Sequence, residues 1–176
     1  AEGLHSHFAA VANAVSIPVI LYNVPSRTGV DIPVSIYKRL SKIPNIIGVK
    51  EAGTNITKLI ETRNACGPSF AIWSGNDDCT VPSIAIGAQG IISVASNICP
   101  QEMKLMADAA LDGDFDTASA IACELQPLIK LLFAEVNPVM VKAAMKHIGF
   151  DCGKCRLPLT QPKKENSDQL TAFFAK

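Results

Sequence analysis

Apolar residues along this chain follow two rhythms. Between Glu2 and Val15 they fall at Leu4, Phe8, Val11 and Val15, a spacing of i, i+4, i+7, i+11 that predicts a helix with one apolar stripe. The next residues, Ile17-Pro18-Val19-Ile20-Leu21-Tyr22, form an unbroken apolar run too short for a helix. Such a run reads as a parallel strand buried on both faces. The two rhythms then alternate. Turn residues fill Asn23 to Asp31, and Pro33 to Ser41 reads as a helix with proline in its first turn. Ile46-Ile47-Gly48-Val49-Lys50 is a second strand, and Thr54 or Asn55 caps a helix to about Ala65. Phe70 to Ser74 is a third strand, and Asp77 or Asp78 caps a helix ending near Gly87. Gly90-Ile91-Ile92-Ser93-Val94 is expected as a fourth strand.

Beyond Asn97 the helical rhythm takes over. Helices are expected from Gln101 to Leu111, from Asp114 with a kink at Pro127 and an end before Pro138, from Pro138 to Ile148, and from Glu165 to Phe174. The chain therefore divides into β-α units over 1–97 and a mainly helical region over 98–176. Strands regularly alternating with helices predict an α/β fold with a parallel sheet and right-handed crossovers. A doubly wound open sheet and a (β/α)8 barrel both fit. The barrel requires eight strands and about 250 residues, and four strands are predicted here.

Composition narrows the function classes. The 176 residues are 48% hydrophobic, which suits a globular protein with a sizeable core. Sixteen basic residues balance sixteen acidic ones, so there is no electrostatic footprint for nucleic acid. No apolar stretch reaches the roughly 18 residues of a membrane span, and the first residues lack the pattern of a signal peptide. Six cysteines sit mostly in helical or apolar segments, as free thiols in a cytoplasmic protein do. Cys152 and Cys155 have C-x-x-C spacing without the second pair or histidines that a zinc site needs, so no metal and no cofactor is expected.

The chemistry concentrates at strand ends. Lys50 closes an apolar strand, where α/β folds hold their active sites. A lysine attacks a ketone only as the neutral amine, and an apolar mouth lowers its pKa from about 10.4. The plainer alternatives are an exposed lysine or one paired with Glu51. Tyr22 closes the preceding strand. Neighbouring parallel strands run about 4.8 Å apart, so a phenol and an amine at equivalent positions can touch and exchange a proton. Together they suggest Schiff-base chemistry. Arg27, in the loop after Tyr22, can hold a carboxylate through paired hydrogen bonds, although a surface role is the more ordinary one. Gly75 and Ile92, at later strand ends, can offer backbone groups to a ligand. His5, His7 and His147 are isolated, Asp77-Asp78 reads first as a helix cap, and Gly87-Ala88-Gln89-Gly90 is too short to cradle a phosphate.

Two segments, Tyr22-Asn23-Val24-Pro25-Ser26-Arg27-Thr28-Gly29 and Gly48-Val49-Lys50-Glu51-Ala52, resemble the two signatures of the dihydrodipicolinate synthase family, at matching spacing. Ser74-Gly75-Asn76-Asp77, Gly90 to Val94 and Asn137-Pro138 resemble further family segments in the same order. The resemblance implies the second half of a (β/α)8 TIM barrel, strands five to eight, plus C-terminal helices. It implies a lyase of the lysine and diaminopimelate pathway that condenses pyruvate with aspartate semialdehyde. Lys50 would form the Schiff base, Tyr22 would shuttle protons, Arg27 would hold the carboxylate of the aldehyde, and Ile92 and Gly75 would lie near pyruvate. N-acetylneuraminate lyases and 2-keto-3-deoxy-sugar-acid aldolases share the lysine and tyrosine motifs, while the arginine favours the dihydrodipicolinate branch. The family's Gly-Thr-Thr-Gly-Glu segment, its second relay tyrosine and its lysine-feedback site have no counterpart in these residues. The chain is thus expected to be a piece of a longer protein, inactive by itself, and to pair with a complementary barrel half or with a copy of itself. A non-catalytic half-barrel serving assembly or ligand binding is the alternative outside enzymology.

Overall fold

Three apolar runs pair side by side in the computed structural model, which describes residues 1–175. Strands β1 (Val19–Asn23), β2 (Ile46–Glu51) and β3 (Ala71–Ser74) form a parallel sheet in the order β1-β2-β3. Helix α1 (Glu2–Asn13) precedes β1; α2 (Pro25–Thr28) and α3 (Val34–Leu40) link β1 to β2; α4 (Ile56–Cys66) links β2 to β3. A 3-10 turn (Asp77–Cys79) leads into α5 (Thr80–Ala85). These elements belong to a first compact unit, Ala1–Ile92.

The core of this unit lies between the sheet and its helices. Leu21, Val49 and Ile72, central in the three strands, are buried against Ile36, Tyr37, Leu40 and Leu59. The first helix contributes Leu4, Phe8 and Ala12, spaced i, i+4, i+8. Val11 and Val15, expected on the same stripe, are 44% and 42% exposed, because the face that docks is turned toward Ala12. The opposite face of the sheet carries Ile20 and Tyr22, 43% and 42% exposed. The strands are therefore apolar on both faces yet buried on one, which corrects the expectation of two covered faces.

Other local expectations are refined. The turn region after β1 contains a short helix with Pro25 at its start and Gly29 at its end in the left-handed conformation. Asn55, not Thr54, caps α4 by accepting a hydrogen bond from the Thr57 amide at 3.0 Å. Neither Asp77 nor Asp78 caps a helix; both lie inside the 3-10 turn, and Asp77 is buried. The predicted fourth strand is reduced to a single parallel bridge between Ser74 and Ile91. Gly90 adopts φ 140°, and by Val94 the backbone has turned helical, entering a 3-10 turn at Ala95–Asn97. Residues 89–92 nevertheless run along β3. Gln89 and Ile92 donate to the Ile72 and Ser74 carbonyls, and the Gln89 side chain accepts from the Ile72 amide at 2.7 Å.

A second unit begins at Ser93 and is helical. It comprises α6 (Pro100–Leu111), α7 (Phe115–Leu132), α8 (Val139–His147) and α9 (Lys164–Phe174). Asp114 caps α7 through the Thr117 amide, and that helix continues through Pro127 to Leu132. Met103, Met106, Leu132, Met140 and Leu170 are among its buried residues. Glu135 accepts hydrogen bonds from the Lys163 amide and the Asn166 side chain at the start of α9.

Candidate active site

Register brings the predicted amine and phenol together. Tyr22 on β1 is paired with Lys50 on β2, and Lys50 in turn with Trp73 on β3. Residues in register share a face, so these three side chains form a row on the side of the sheet away from the helices. The Lys50 Nζ lies 4.6 Å from the centroid of the Tyr22 ring, a cation–π distance. Lys50 is half-buried, and burial pulls its pKa below the ordinary lysine value. The Asp77 carboxylate opposes the shift and the Arg27 guanidinium adds to it. A lysine with a depressed pKa has more neutral amine at any given pH, which nucleophilic attack on a carbonyl requires.

Glycines make room for this row. A Cβ at position 48 would lie 2.2 Å from the Ala71 carbonyl oxygen and 2.9 Å from the Trp73 ring. A Cβ at position 75 would lie 3.1 Å from the Lys50 Cε and 2.7 Å from the Ala52 Cβ. The Gly75 amide donates to the Glu51 carbonyl, so Gly75 offers space beside the lysine stem rather than a free N–H. The Ile92 amide likewise donates to Ser74, leaving its carbonyl and side chain as the groups it can present. Arg27 stands at the last turn of α2, close enough to act on Lys50 electrostatically.

The suggested Lys50–Glu51 pair does not form. Adjacent strand residues point to opposite faces, and Glu51 turns toward the helices, where it accepts from Asn23, Tyr37 and Gly53 and lies 3.4 Å from Lys58. Trp73, Gly48 and Asn23 are thus additions to the residues singled out in the sequence, while Asp77 acts on Lys50 rather than capping a helix and Glu51 pairs on the helix side. Trp73 carried a usable signal, since it stands two residues before Gly75 as Lys50 stands two before Ala52. Among the described residues no cluster of three or more His, Cys, Asp or Glu side chains could hold a metal ion. None of their helices is long and apolar enough to cross a membrane. None of the six cysteines forms a disulfide. A cleft of about 340 Å³ in the second unit, lined by Lys142, Lys146 and His147 among others, contains none of the residues at the strand ends.

Comparison with known proteins gives the family and the fold. The model of the dihydrodipicolinate synthetase family matches residues 1–176. A 4-hydroxy-tetrahydrodipicolinate synthase of Methanosarcina barkeri is 44% identical over 96% of this chain and 58% of its own length. The crystal structure of dihydrodipicolinate synthase from Aquifex aeolicus is 43% identical and superposes with a TM-score of 0.96, over 99% of this chain and 60% of that one. A chloride-inhibited dihydrodipicolinate synthase from Acinetobacter baumannii, complexed with pyruvate, is 37% identical with a TM-score of 0.93, over 97% of this chain and 59% of that one. The chain spans about three-fifths of the length of these relatives, and its α/β fold is theirs over that span. It belongs to the dihydrodipicolinate synthetase family.

Proposed function

We propose that this chain supplies the Schiff-base centre of a lyase that condenses pyruvate with aspartate semialdehyde, in the lysine and diaminopimelate pathway of the cytoplasm. The observation that carries the reading is the Lys50 amine, its pKa lowered by burial, held 4.6 Å from the Tyr22 ring on the uncovered face of the sheet. The neutral amine of Lys50 attacks the keto carbon of pyruvate. Water leaves and an imine forms; loss of a methyl proton gives the enamine. That carbon attacks the aldehyde of aspartate semialdehyde, and cyclisation releases Lys50. Tyr22 moves protons in these steps and Arg27 holds the carboxylate of the aldehyde. Gly75 and Ile92 border the pyruvate.

The three strands and the bridged segment after them correspond, on this reading, to strands five to eight of an eight-stranded barrel. Residues 1–97 carry the chemistry and 98–176 the added helices. The remaining strands come from a complementary barrel half or from another copy in a homo-oligomer. Support comes from Ile20 and Tyr22, which face away from the core and await a covering layer. The whole protein, not this chain by itself, is the active species. Incubation of the full-length protein with pyruvate and borohydride, followed by peptide mass spectrometry, tests the reading. An adduct on Lys50 is expected. Labelling elsewhere with Lys50 unmodified would overturn it.

A further inference from the structure

A closed ring of polar side chains lies directly behind the amine and the phenol. Asn23 follows Tyr22 on β1 and Glu51 follows Lys50 on β2, and the two are paired in register. Both point to the helix side and both are buried, at 1% and 4% exposure. The Asn23 Nδ2 donates to Glu51 Oε1 and to Asp31 Oδ1, each at 2.7 Å. Lys58, itself buried, forms an ion pair with Asp31 and lies 3.4 Å from Glu51 Oε2, which closes the ring. Further donors converge on it. The Gly53 amide reaches Glu51 Oε1 at 2.7 Å, and the Tyr37 hydroxyl reaches Oε2 at 2.9 Å. The Ile32 amide donates to Asn23 Oδ1 at 3.1 Å.

This ring costs desolvation that an apolar cluster of the same volume would avoid, so stability alone is a poor account of it. What it offers is direction. The ladder between β1 and β2 ends at Asn23 and Glu51, where strand ends otherwise fray. Fixing the side chains of residues 23 and 51 fixes the peptide planes that aim residues 22 and 50 to the opposite face. Asp31 and Ile32 also close the exit of the loop that carries Arg27, whose entrance is Asn23 itself. One buried carboxylate therefore ties together the supports of the amine, the phenol and the guanidinium.

We propose that Glu51, clamped by Asn23, Tyr37 and Lys58, is a positioning residue that holds Lys50 and Tyr22 in attack geometry and anchors the Arg27 loop. The inference rests on the proposed Schiff-base function. The test is Glu51→Gln in the full-length protein, read as the rate of pyruvate–borohydride trapping at Lys50 per trappable site. The final extent of trapping counts competent molecules, so a partly unfolded preparation does not alter the per-site rate. That rate is expected to fall about tenfold or more, since an ångström of misplacement is felt strongly in such reactions. A loss of final extent with a per-site rate within about twofold of the parent would mean that Glu51 serves folding alone, and would overturn the proposal. If Glu51→Gln does not fold, Tyr37→Phe removes a single donor from the same carboxylate. It should slow trapping several-fold, and an unchanged rate would overturn the proposal. No trapping in the unsubstituted protein would overturn the Schiff-base reading and this inference together; equal rates in parent and variant would overturn the inference alone.

Discussion

A methyl group at position 75 would stand 2.7 Å from the Ala52 Cβ and 3.1 Å from the Lys50 Cε. Gly75→Ala should therefore displace either β2 or the lysine stem, at about 1–3 kcal/mol by the usual cost of overpacking. Thermal unfolding of the full-length protein should report that loss, and pyruvate trapping should slow with it; an unshifted midpoint with normal trapping would show that the strand ends yield freely. Arg27 gives a prediction with a defined sign. Burial lowers the Lys50 pKa, the Asp77 carboxylate resists, and the Arg27 cation adds to the lowering. The trapping rate should rise with pH as Lys50 loses its proton, with a midpoint below the ordinary lysine value. Arg27→Ala removes a repelling cation, so the midpoint should move up toward that ordinary value. In the same variant, kcat/KM for aspartate semialdehyde should drop by about 1.5–3 kcal/mol, the range for hydrogen bonds to charged groups. A midpoint that stayed or fell, with unchanged turnover, would reduce Arg27 to a surface residue. Lys50 and Tyr22 are conspicuous in the sequence because a charged or phenolic group ends an apolar run, whereas Arg27 lies in the loop beyond the first of those runs. The alternative of a Lys50–Glu51 pair fails because adjacency along a strand means opposite faces, and two of the partners of Glu51, Tyr37 and Asn23, lie 14 and 28 residues away along the chain.

At the scale of elements, three of the four strands were readable because each is an apolar run bounded by turn residues. The fourth, Gly90 to Val94, has the same composition but not the same backbone. Its pairing begins with a glutamine side chain standing in for a peptide carbonyl, and no periodicity records that substitution. Helix boundaries were legible where a capping side chain stood in place, as at Asn55 and Asp114. The first of these matters to the site, since α4 carries Lys58 in its first turn. Asn55→Ala should cost about 1 kcal/mol of stability through the lost cap. Calorimetry on the full-length protein should detect it, while the pyruvate trapping rate per competent site stays level. A fall in that rate without a fall in stability would show that the cap steers Lys58 rather than merely closing the helix.

For the whole molecule, alternation of strand and helix predicts a parallel sheet but cannot distinguish an open sheet from part of a barrel. Both architectures read alike along the chain. The distinguishing feature is which faces are covered, and that depends on residues outside each strand. Here one face packs on helices, while Ile20 and Tyr22 on the other are exposed and β1 stands at the end of the strand order. An uncovered apolar face beside a strand with unpaired backbone groups favours association. The chain by itself should therefore self-associate, or, on the barrel reading proposed above, pair with a complementary barrel half supplied in trans. Light scattering should give a mass above that of one chain, and trapping at Lys50 should increase on adding the proposed complementary half, which on that reading would cover the row Tyr22–Lys50–Trp73. A monodisperse monomer that traps pyruvate as fast as the full-length protein would mean that the three-stranded sheet and its polar ring are sufficient for the first chemical step.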